Sequence, residues 1–114
     1  MKAAQLKAFK ALPPPSTCRL IPFTKTVVVP GFLPNTYFLI VSGTKPWVTM
    51  TVELRPLIYI VQPDYWGIEV VGCQNGIGLP KTAPYSVALD ITHFRGKKGI
   101  EVIGSSGNKK INVP

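Results

Sequence analysis

The side chains able to do acid–base or nucleophilic chemistry are few in this chain. His93 is the only histidine, and the sequence places no carboxylate or nucleophile at a spacing that would pair with it. A general base must lie within hydrogen-bond reach of the proton that it removes, and usually depends on neighbours to tune its pKa. We therefore expect His93 to lie on the surface or at a strand end, and we predict that the protein is not an enzyme.

The five acidic residues also lack a catalytic arrangement. Asp64 falls in a predicted turn, where its carboxylate can accept hydrogen bonds from backbone amides. The other four occupy polar positions of alternating segments, the pattern of a solvated strand face: Glu53, Glu69, Asp90 and Glu101. No two of them are paired in the sequence, so catalysis by two carboxylates has no support.

Cys18 and Cys73 are far apart in the sequence. The separation is compatible with the inter-sheet disulfide of immunoglobulin domains, but Trp47 comes late for the core tryptophan of those domains. Because no secretory signal is recognised, we expect reduced thiols. Two cysteines and one histidine do not provide the four ligands of a common structural metal site, so we expect neither metal nor cofactor.

The chain is basic, with 13 Lys and Arg against 5 Asp and Glu and a net charge of +8. Such a balance favours an anionic partner, namely nucleic acid, an acidic protein face or an anionic membrane, although solubility alone would also account for it. A candidate partner-binding set lies near the N-terminus: Lys2, Leu6, Lys7, Phe9 and Lys10. A candidate polyanion-binding set lies near the C-terminus: Arg95, Lys97, Lys98, Lys109 and Lys110.

Few aromatic residues accompany the second set. Only Phe94 is adjacent to it, and single-strand binders rely on aromatic side chains that stack on bases. We therefore expect nucleic acid to bind weakly and without sequence specificity. If the set does serve polyanions, its four lysines should form one patch.

The stretch from Trp47 to Cys73 organises the fold. Residues 47–55 alternate, with Val48, Met50, Val52 and Leu54 on one face, which predicts a half-buried strand. Pro56 interrupts it, and the apolar segment 57–61 follows. A turn at Pro63-Asp64 and a return strand that begins near Trp66 complete a predicted hairpin.

Other short extended segments flank this hairpin. They are predicted near residues 20–21, 27–29, 36–42, 85–91, 100–102 and 109–113. Residues 36–42 are apolar on both faces, which is typical of a strand covered on both sides or covered by a partner. Seven or eight short strands separated by Gly and Pro predict an all-β protein, a single antiparallel β-sandwich of immunoglobulin-like architecture.

Residues 1–17 differ from the rest of the chain. Ala3, Leu6, Phe9 and Leu12 recur every third residue, and Pro13 to Pro15 follow them. This pattern predicts a short helical or extended basic arm with a polyproline hinge, followed by a β-sandwich domain at residues 18–114. The lysines exclude the apolar core of a signal peptide, and no segment is long enough for a transmembrane helix, so we expect cytoplasmic synthesis.

These features favour a non-enzymatic structural or assembly subunit of a large particle, for example a virion capsid decoration or cement protein. It would dock on other protein subunits through its arm and its sheet faces and would be an oligomer. The alternative is a small basic module that binds nucleic acid or another polyanion. A third class, a secreted carbohydrate- or receptor-binding sandwich with a disulfide, would need a secretory signal.

Overall fold

The computed structural model describes residues 16–114 and is all-β over that range. The sequence-predicted arm lies outside the described residues, apart from two residues that open the first strand. The strands are β1 (Ser16–Leu20), β2 (Lys25–Pro30), β3 (Tyr37–Lys45), β4 (Thr51–Pro56), β5 (Tyr65–Asn75), β6 (Ala83–Asp90), β7 (Gly99–Gly104) and β8 (Gly107–Asn112). Eight strands agree with the number expected from the sequence.

The strands form two sheets. Sheet A is built around the long strand β5, which pairs with β4 along one side. Along its other side β5 pairs with β1 through its C-terminal half and with β7 through its N-terminal half, and β8 extends the sheet beyond β7. Sheet B contains β2, β3 and β6, with β3 in the middle. The predicted hairpin of the organising stretch is therefore present as β4–β5.

One strand pair departs from the antiparallel arrangement that we predicted. β7 runs parallel to β5, with Ile68 opposite Val102, while the other strand pairs are antiparallel. The reason lies in the chain path: after β5 the chain crosses to sheet B as β6 and then returns to sheet A. Parallel strands need such a crossover connection. The expectation of a wholly antiparallel sandwich is wrong at this pair.

The hydrophobic core lies between the inner faces of the two sheets. Sheet A contributes alternate residues of β5 and β7, including Ile68 and Val102, and sheet B contributes Leu39 and Val41 from β3. These four side chains are fully buried, and burial of each stabilises the fold by roughly 1.5–3 kcal/mol relative to exposure. The inward face predicted for the organising strand is confirmed at its centre, where Met50 and Leu54 join the core cluster.

The strand predicted at residues 47–55 has different boundaries in the structure. Residues 47–50 form a turn, closed by the Met50 N–H donating to the Trp47 carbonyl at 3.0 Å, and β4 begins at Thr51. The ladder between β4 and β5 ends where Pro56 lies opposite Ile68. One further backbone hydrogen bond follows, from the Leu57 N–H to the Gly67 carbonyl at 2.9 Å, and the apolar residues after it form a loop rather than a continued strand.

The expectation of free thiols is wrong. Cys18 and Cys73 form a disulfide bond. The register of β1 on β5 places them directly opposite each other, with Cα atoms 4.1 Å apart. The bond therefore links neighbouring strands of sheet A and does not join the two sheets, in contrast to the disulfide of antibody domains.

Candidate functional site

Three loops gather at one end of the sandwich, which we call the three-loop end. They are the β2–β3 loop (31–36), the β4–β5 loop (57–64) and the β6–β7 loop (91–98). β6 ends opposite the start of β3, beside the first loop, and β7 begins opposite Tyr65, beside the second. The β6–β7 loop therefore crosses from one sheet to the other between the two neighbouring loops.

Backbone hydrogen bonds join the β6–β7 loop to the β4–β5 loop. The Lys97 N–H donates to the Pro63 carbonyl, and the Lys98 N–H donates to the Asp64 carbonyl, each at 2.8 Å. Gly96 is required for this close approach, since a Cβ atom there would collide with the Asp64 carbonyl group. Main-chain hydrogen bonds thus hold the two loops together, and side-chain contacts add to them.

Arg95 makes the side-chain contacts that tie the β6–β7 loop to sheet B and to the C-terminal residue. Its guanidinium lies 5.2 Å from the centre of the Tyr37 ring, and its Nη1 donates to the Pro114 carbonyl at 2.6 Å. Gln62 also donates from Nε2 to the Arg95 carbonyl at 2.9 Å. Part of the positive charge at this end is therefore fixed in position.

An open cleft of about 610 Å³ lies among these groups, lined by Gln62, Trp66, Thr92, His93, Arg95, Gly96, Lys97, Val113 and Pro114. Its lining combines cationic side chains with the edge of an aromatic cluster, because the Trp66 ring packs edge-on against Tyr59 at 5.0 Å and Phe94 at 5.9 Å. The cleft offers positive charge and hydrogen-bond donors, which suits an anionic group.

His93 lies in this cleft as an exposed side chain, in line with the surface position expected from the sequence. Asp90 is the acidic residue closest to His93 along the sequence. Its pKa is held below its ordinary value, first by a hydrogen bond from the Thr92 hydroxyl and then by one from the Thr92 N–H. The two hydrogen bonds from Thr92 are therefore the main stabilisation of the Asp90 carboxylate, and the nearby His93 lowers its pKa to a smaller extent.

Apolar side chains project from two of the three loops. Ile58 and Ile60 are 97% and 103% exposed on the β4–β5 loop, and Phe32 is 108% exposed on the β2–β3 loop. Val61, next to Ile60, and Leu33, next to Phe32, are also exposed. Sequence reasoning missed these loop tips, because the run 57–61 had no polar residue to distinguish an exposed loop from a buried strand.

Leu57 and Tyr59, the residues on either side of Ile58, anchor the β4–β5 loop. The Leu57 carbonyl accepts a hydrogen bond from the Trp66 indole at 2.9 Å, and the Tyr59 hydroxyl accepts one from the Gly67 N–H at 3.1 Å. Ile58 lies between these two anchors and is directed outward. The exposure of the tips is therefore a property of a fixed loop conformation.

The outer face of sheet B is a second apolar surface. Val27, Ile40 and Ala88 lie side by side across its three strands, and Val29 lies beside Phe38 in the adjacent row. All five are at least partly exposed. Residues 36–42 were predicted to be covered on both faces or to be covered by a partner; within the described residues, β3 is covered by the core on one face only.

Charged residues lie at two opposite corners of this outer face. Lys25 on β2 is in the row of Ser42, and Asp90 on β6 is in the row of Phe38. Both side chains are exposed. Asp90 uses only its Oδ1 atom for the two hydrogen bonds with Thr92. The face therefore combines an apolar centre with one cation and one anion at diagonally opposite positions.

The predicted polyanion set is not brought together. Arg95, Lys97 and Lys98 lie at the three-loop end, whereas Lys109 and Lys110 lie on β8. Successive side chains of a strand point to opposite faces. Lys110 is on the outer face of sheet A, opposite Glu101 and 5.2 Å from the centre of the Tyr65 ring, while Lys109 is in register with the inward-facing Val102. The four lysines do not form one patch.

The predicted partner-binding set, Lys2, Leu6, Lys7, Phe9 and Lys10, lies outside the described residues.

The outer face of sheet A carries three of the five acids, Glu53, Glu69 and Glu101, as expected for solvated positions. Glu53 forms an ion pair with Arg55, whose Nη2 atom also lies 3.3 Å from the Cys73 sulfur. Within residues 16–114, no group of three or more potential metal ligands comes together. The same part of the chain contains no helix long and apolar enough to cross a membrane.

Comparisons with protein-family models, with curated proteins and with solved structures give no match to this chain. The protein is thus an all-β protein of two packed sheets, and its own surfaces are the basis for a proposed function.

Proposed function

We propose that this protein is a non-enzymatic assembly subunit that associates with a second copy of itself through the outer face of sheet B. Subunits of this kind build large particles, and a virion decoration or cement protein is the example that we favour. The immunoglobulin-like architecture, the docking arm and cytoplasmic synthesis stay predictions.

The observation that carries the proposal is the apolar centre of that face, which no other element among residues 16–114 covers. Val27, Ile40 and Ala88 form a continuous row across three strands, and Phe38 extends it with a side chain that is 38% exposed. Contiguous exposed apolar patches with polar rims mark interaction sites in proteins. The β-branched and aromatic residues of this face are the types that pack well when two sheets meet at about 10 Å.

The charges at the corners support a second copy as the occupant. In an isologous dimer, each copy contributes the same patch to the interface. A two-fold axis that lies in the interface plane, perpendicular to the Lys25–Asp90 diagonal, exchanges these two corners. Each Lys25 then faces Asp90 of the other copy, and the apolar rows cross between them. Complementary charges at the rim fix the orientation of such an interface.

Sedimentation velocity over a concentration series tests this proposal. We expect the wild type to self-associate, and Ile40→Lys to raise the dissociation constant by at least about tenfold, because a lysine at the centre of the interface buries an unpaired charge. The matched control is Leu20→Lys, a partly exposed apolar position on the outer face of sheet A. Equal effects of the two changes, or a wild type that stays monomeric at high concentration, would refute the proposal.

The alternative function, a binding module for nucleic acid or another polyanion, is supported by the cleft at the three-loop end. Arg95 and Lys97 line it together with Trp66. Titration with single-stranded DNA at two salt concentrations tests this function, since neutralised phosphates release counterions and make binding steeply salt-dependent. We expect a dissociation constant no tighter than about 10⁻⁴–10⁻⁶ M at physiological salt. Tight, salt-sensitive binding that Lys97→Gln with Lys98→Gln abolishes would reverse the ranking of the two functions.

A further inference from the structure

We propose that the three-loop end binds the surface of an anionic lipid membrane, with the apolar loop tips inserted at the level of the headgroups. The loop tips adjoin the outer face of sheet B, where Phe32 and Phe38 line one small pocket, but this inference does not depend on self-association. It rests on the apolar tips, on the cations between them and on the shape of the site.

The apolar tips have the exposure and rigidity that insertion needs. Ile58, Ile60 and Phe32 are almost completely exposed, and they belong to two loops on either side of the β6–β7 loop. The Ile58 loop is anchored through Leu57 and Tyr59. Insertion of a fixed loop costs little additional conformational entropy, so that the gain from removing apolar area from water is retained.

The β2–β3 loop is closed by a tight turn at its tip. The Thr36 N–H donates to the Leu33 carbonyl at 3.3 Å, and the Thr36 hydroxyl donates to the same oxygen at 2.6 Å. Asn35 has a φ of 62°, which fits the third position of a type II turn with Pro34 before it. This turn leaves Phe32 and Leu33 exposed on the loop.

Cations lie on the loop between the two apolar tips. Lys97 and Lys98 are exposed on the β6–β7 loop, and the Arg95 guanidinium is held beside Tyr37. Two acids offset part of this charge: the Asp64 carboxylate is 4.0 Å from the Lys98 amine, and Asp90 ends β6 directly before the loop. A surface that combines inserted apolar side chains with nearby cations gains both from apolar burial and from attraction to anionic lipids.

The chemistry of the tips distinguishes a membrane from the other anionic partners. Nucleic-acid binders use aromatic rings that stack on bases, whereas Ile58 and Ile60 have no π face and would remain exposed beside a phosphate backbone. Ile58 and Ile60 project from the end of their loop, and Phe32 borders only a small open pocket of about 330 Å³ with Pro30, Gly31 and Phe38. A fluid interface accepts such convex tips without a complementary shape.

Co-sedimentation of the full chain with vesicles tests the inference. The probes are phosphatidylcholine vesicles with and without about one third phosphatidylserine, and single-stranded DNA serves as a separate polyanion. We expect binding to the anionic vesicles and at least about tenfold weaker partitioning of Ile58→Ser with Ile60→Ser, since this pair loses two inserted aliphatic side chains. The matched control is Ile77→Ser, because Ile77 is 98% exposed on the β5–β6 loop at the opposite end of the sandwich.

A second pair of variants tests the contribution of charge. Lys97→Gln with Lys98→Gln should weaken binding to anionic vesicles by about fivefold per lysine. Lys81→Gln with Lys109→Gln, an equal loss of charge at the opposite end of the sandwich, should weaken it less. The variants share the same N-terminal segment, so any contribution from that segment cancels in the comparison.

Several results would overturn the inference. They are the absence of vesicle binding, equal binding to neutral and anionic vesicles, and an Ile77→Ser change as damaging as the Ile58 and Ile60 pair. Loss of self-association in the Ile58→Ser, Ile60→Ser variant, measured by sedimentation velocity, would assign the loop tips to a protein interface. If single-stranded DNA displaces the vesicles from the protein, and the Ile58→Ser, Ile60→Ser variant binds vesicles as well as the wild type does, the cations would be assigned to nucleic-acid binding.

Discussion

Removal of the disulfide between Cys18 and Cys73 should lower the stability of the fold by several kcal/mol. The perturbation is Cys18→Ala with Cys73→Ala. Both positions lie on the outer face of sheet A, where Cys18 is exposed and Cys73 is partly exposed, so the change leaves no core cavity. The effect therefore arises mainly from the cross-link that is lost.

The magnitude follows from the length of the closed loop. The two cysteines are separated by 55 residues, for which the chain-entropy model gives about 4 kcal/mol of stabilisation through the unfolded state. Residual structure in the unfolded chain lowers this figure, and we expect a loss of about 2–4 kcal/mol. At roughly 4–8 °C per kcal/mol for a domain of this size, the melting temperature should fall by at least about 8 °C.

Urea unfolding followed by tryptophan fluorescence is the assay. It compares the oxidised wild type, the wild type with excess reductant and the double alanine variant, and the last two should have similar midpoints. Thr51→Ala is the control, since Thr51 is an exposed neighbour opposite Cys73. Alkylation before reduction should label neither cysteine. Labelling without reductant, or a midpoint that reductant does not change, would refute the reasoning.

Three further changes test the packing of the loops and strands. Gly96→Ala should lower the free energy of unfolding by about 1–3 kcal/mol in urea titrations, because its methyl group collides with the backbone of the β4–β5 loop. Tyr85→Phe should lower the free energy of unfolding by about 0.5–1.5 kcal/mol, since the Tyr85 hydroxyl donates to the partly buried Pro22 carbonyl at 2.7 Å. An unchanged free energy of unfolding would mean that water replaces this hydrogen bond. Asp90→Asn should lower stability at pH 7 but not in acid. The lowered pKa of Asp90 adds stability above the ordinary value of about 3.9, and that contribution is lost as the pH falls through the folded value. A constant difference between wild type and variant from pH 7 to pH 2 would show that Thr92 does not stabilise the carboxylate.

The sequence predicted the class of fold because strand alternation is a local signal. Met50 and Leu54 could be assigned to the core from their spacing alone, and they are buried. The parallel pairing of β5 and β7 could not be predicted in this way, since it depends on which sheet receives β6. Alternation in β6 is equally compatible with a place in either sheet.

The cysteine pairing was missed for a related reason. Opposite positions on neighbouring strands depend on register, and the register of β1 on β5 is a long-range property. The absence of a recognised secretory signal favoured reduced thiols, but that argument concerns the compartment and not the geometry.

The candidate surfaces could be predicted only in part. The apolar character of β3 on both faces predicted a strand covered on both sides or covered by a partner, and the structure places Phe38 and Ile40 on a face that the described residues leave open. The basic residues were grouped by closeness in the sequence. Strand alternation separates Lys109 from Lys110, so a charged run on a strand does not imply a single patch.

The most direct test of the proposed interface is zero-length carbodiimide cross-linking of the unmodified protein, mixed from ¹⁴N- and ¹⁵N-labelled chains. Within one copy, Lys25 and Asp90 lie on opposite edge strands and about 15 Å apart along the diagonal, beyond the reach of a direct amide bond. The face-to-face dimer predicts a Lys25–Asp90 cross-linked peptide with mixed isotopes. Self-association whose mixed-isotope cross-links all involve other residues, with none between Lys25 and Asp90, would contradict it.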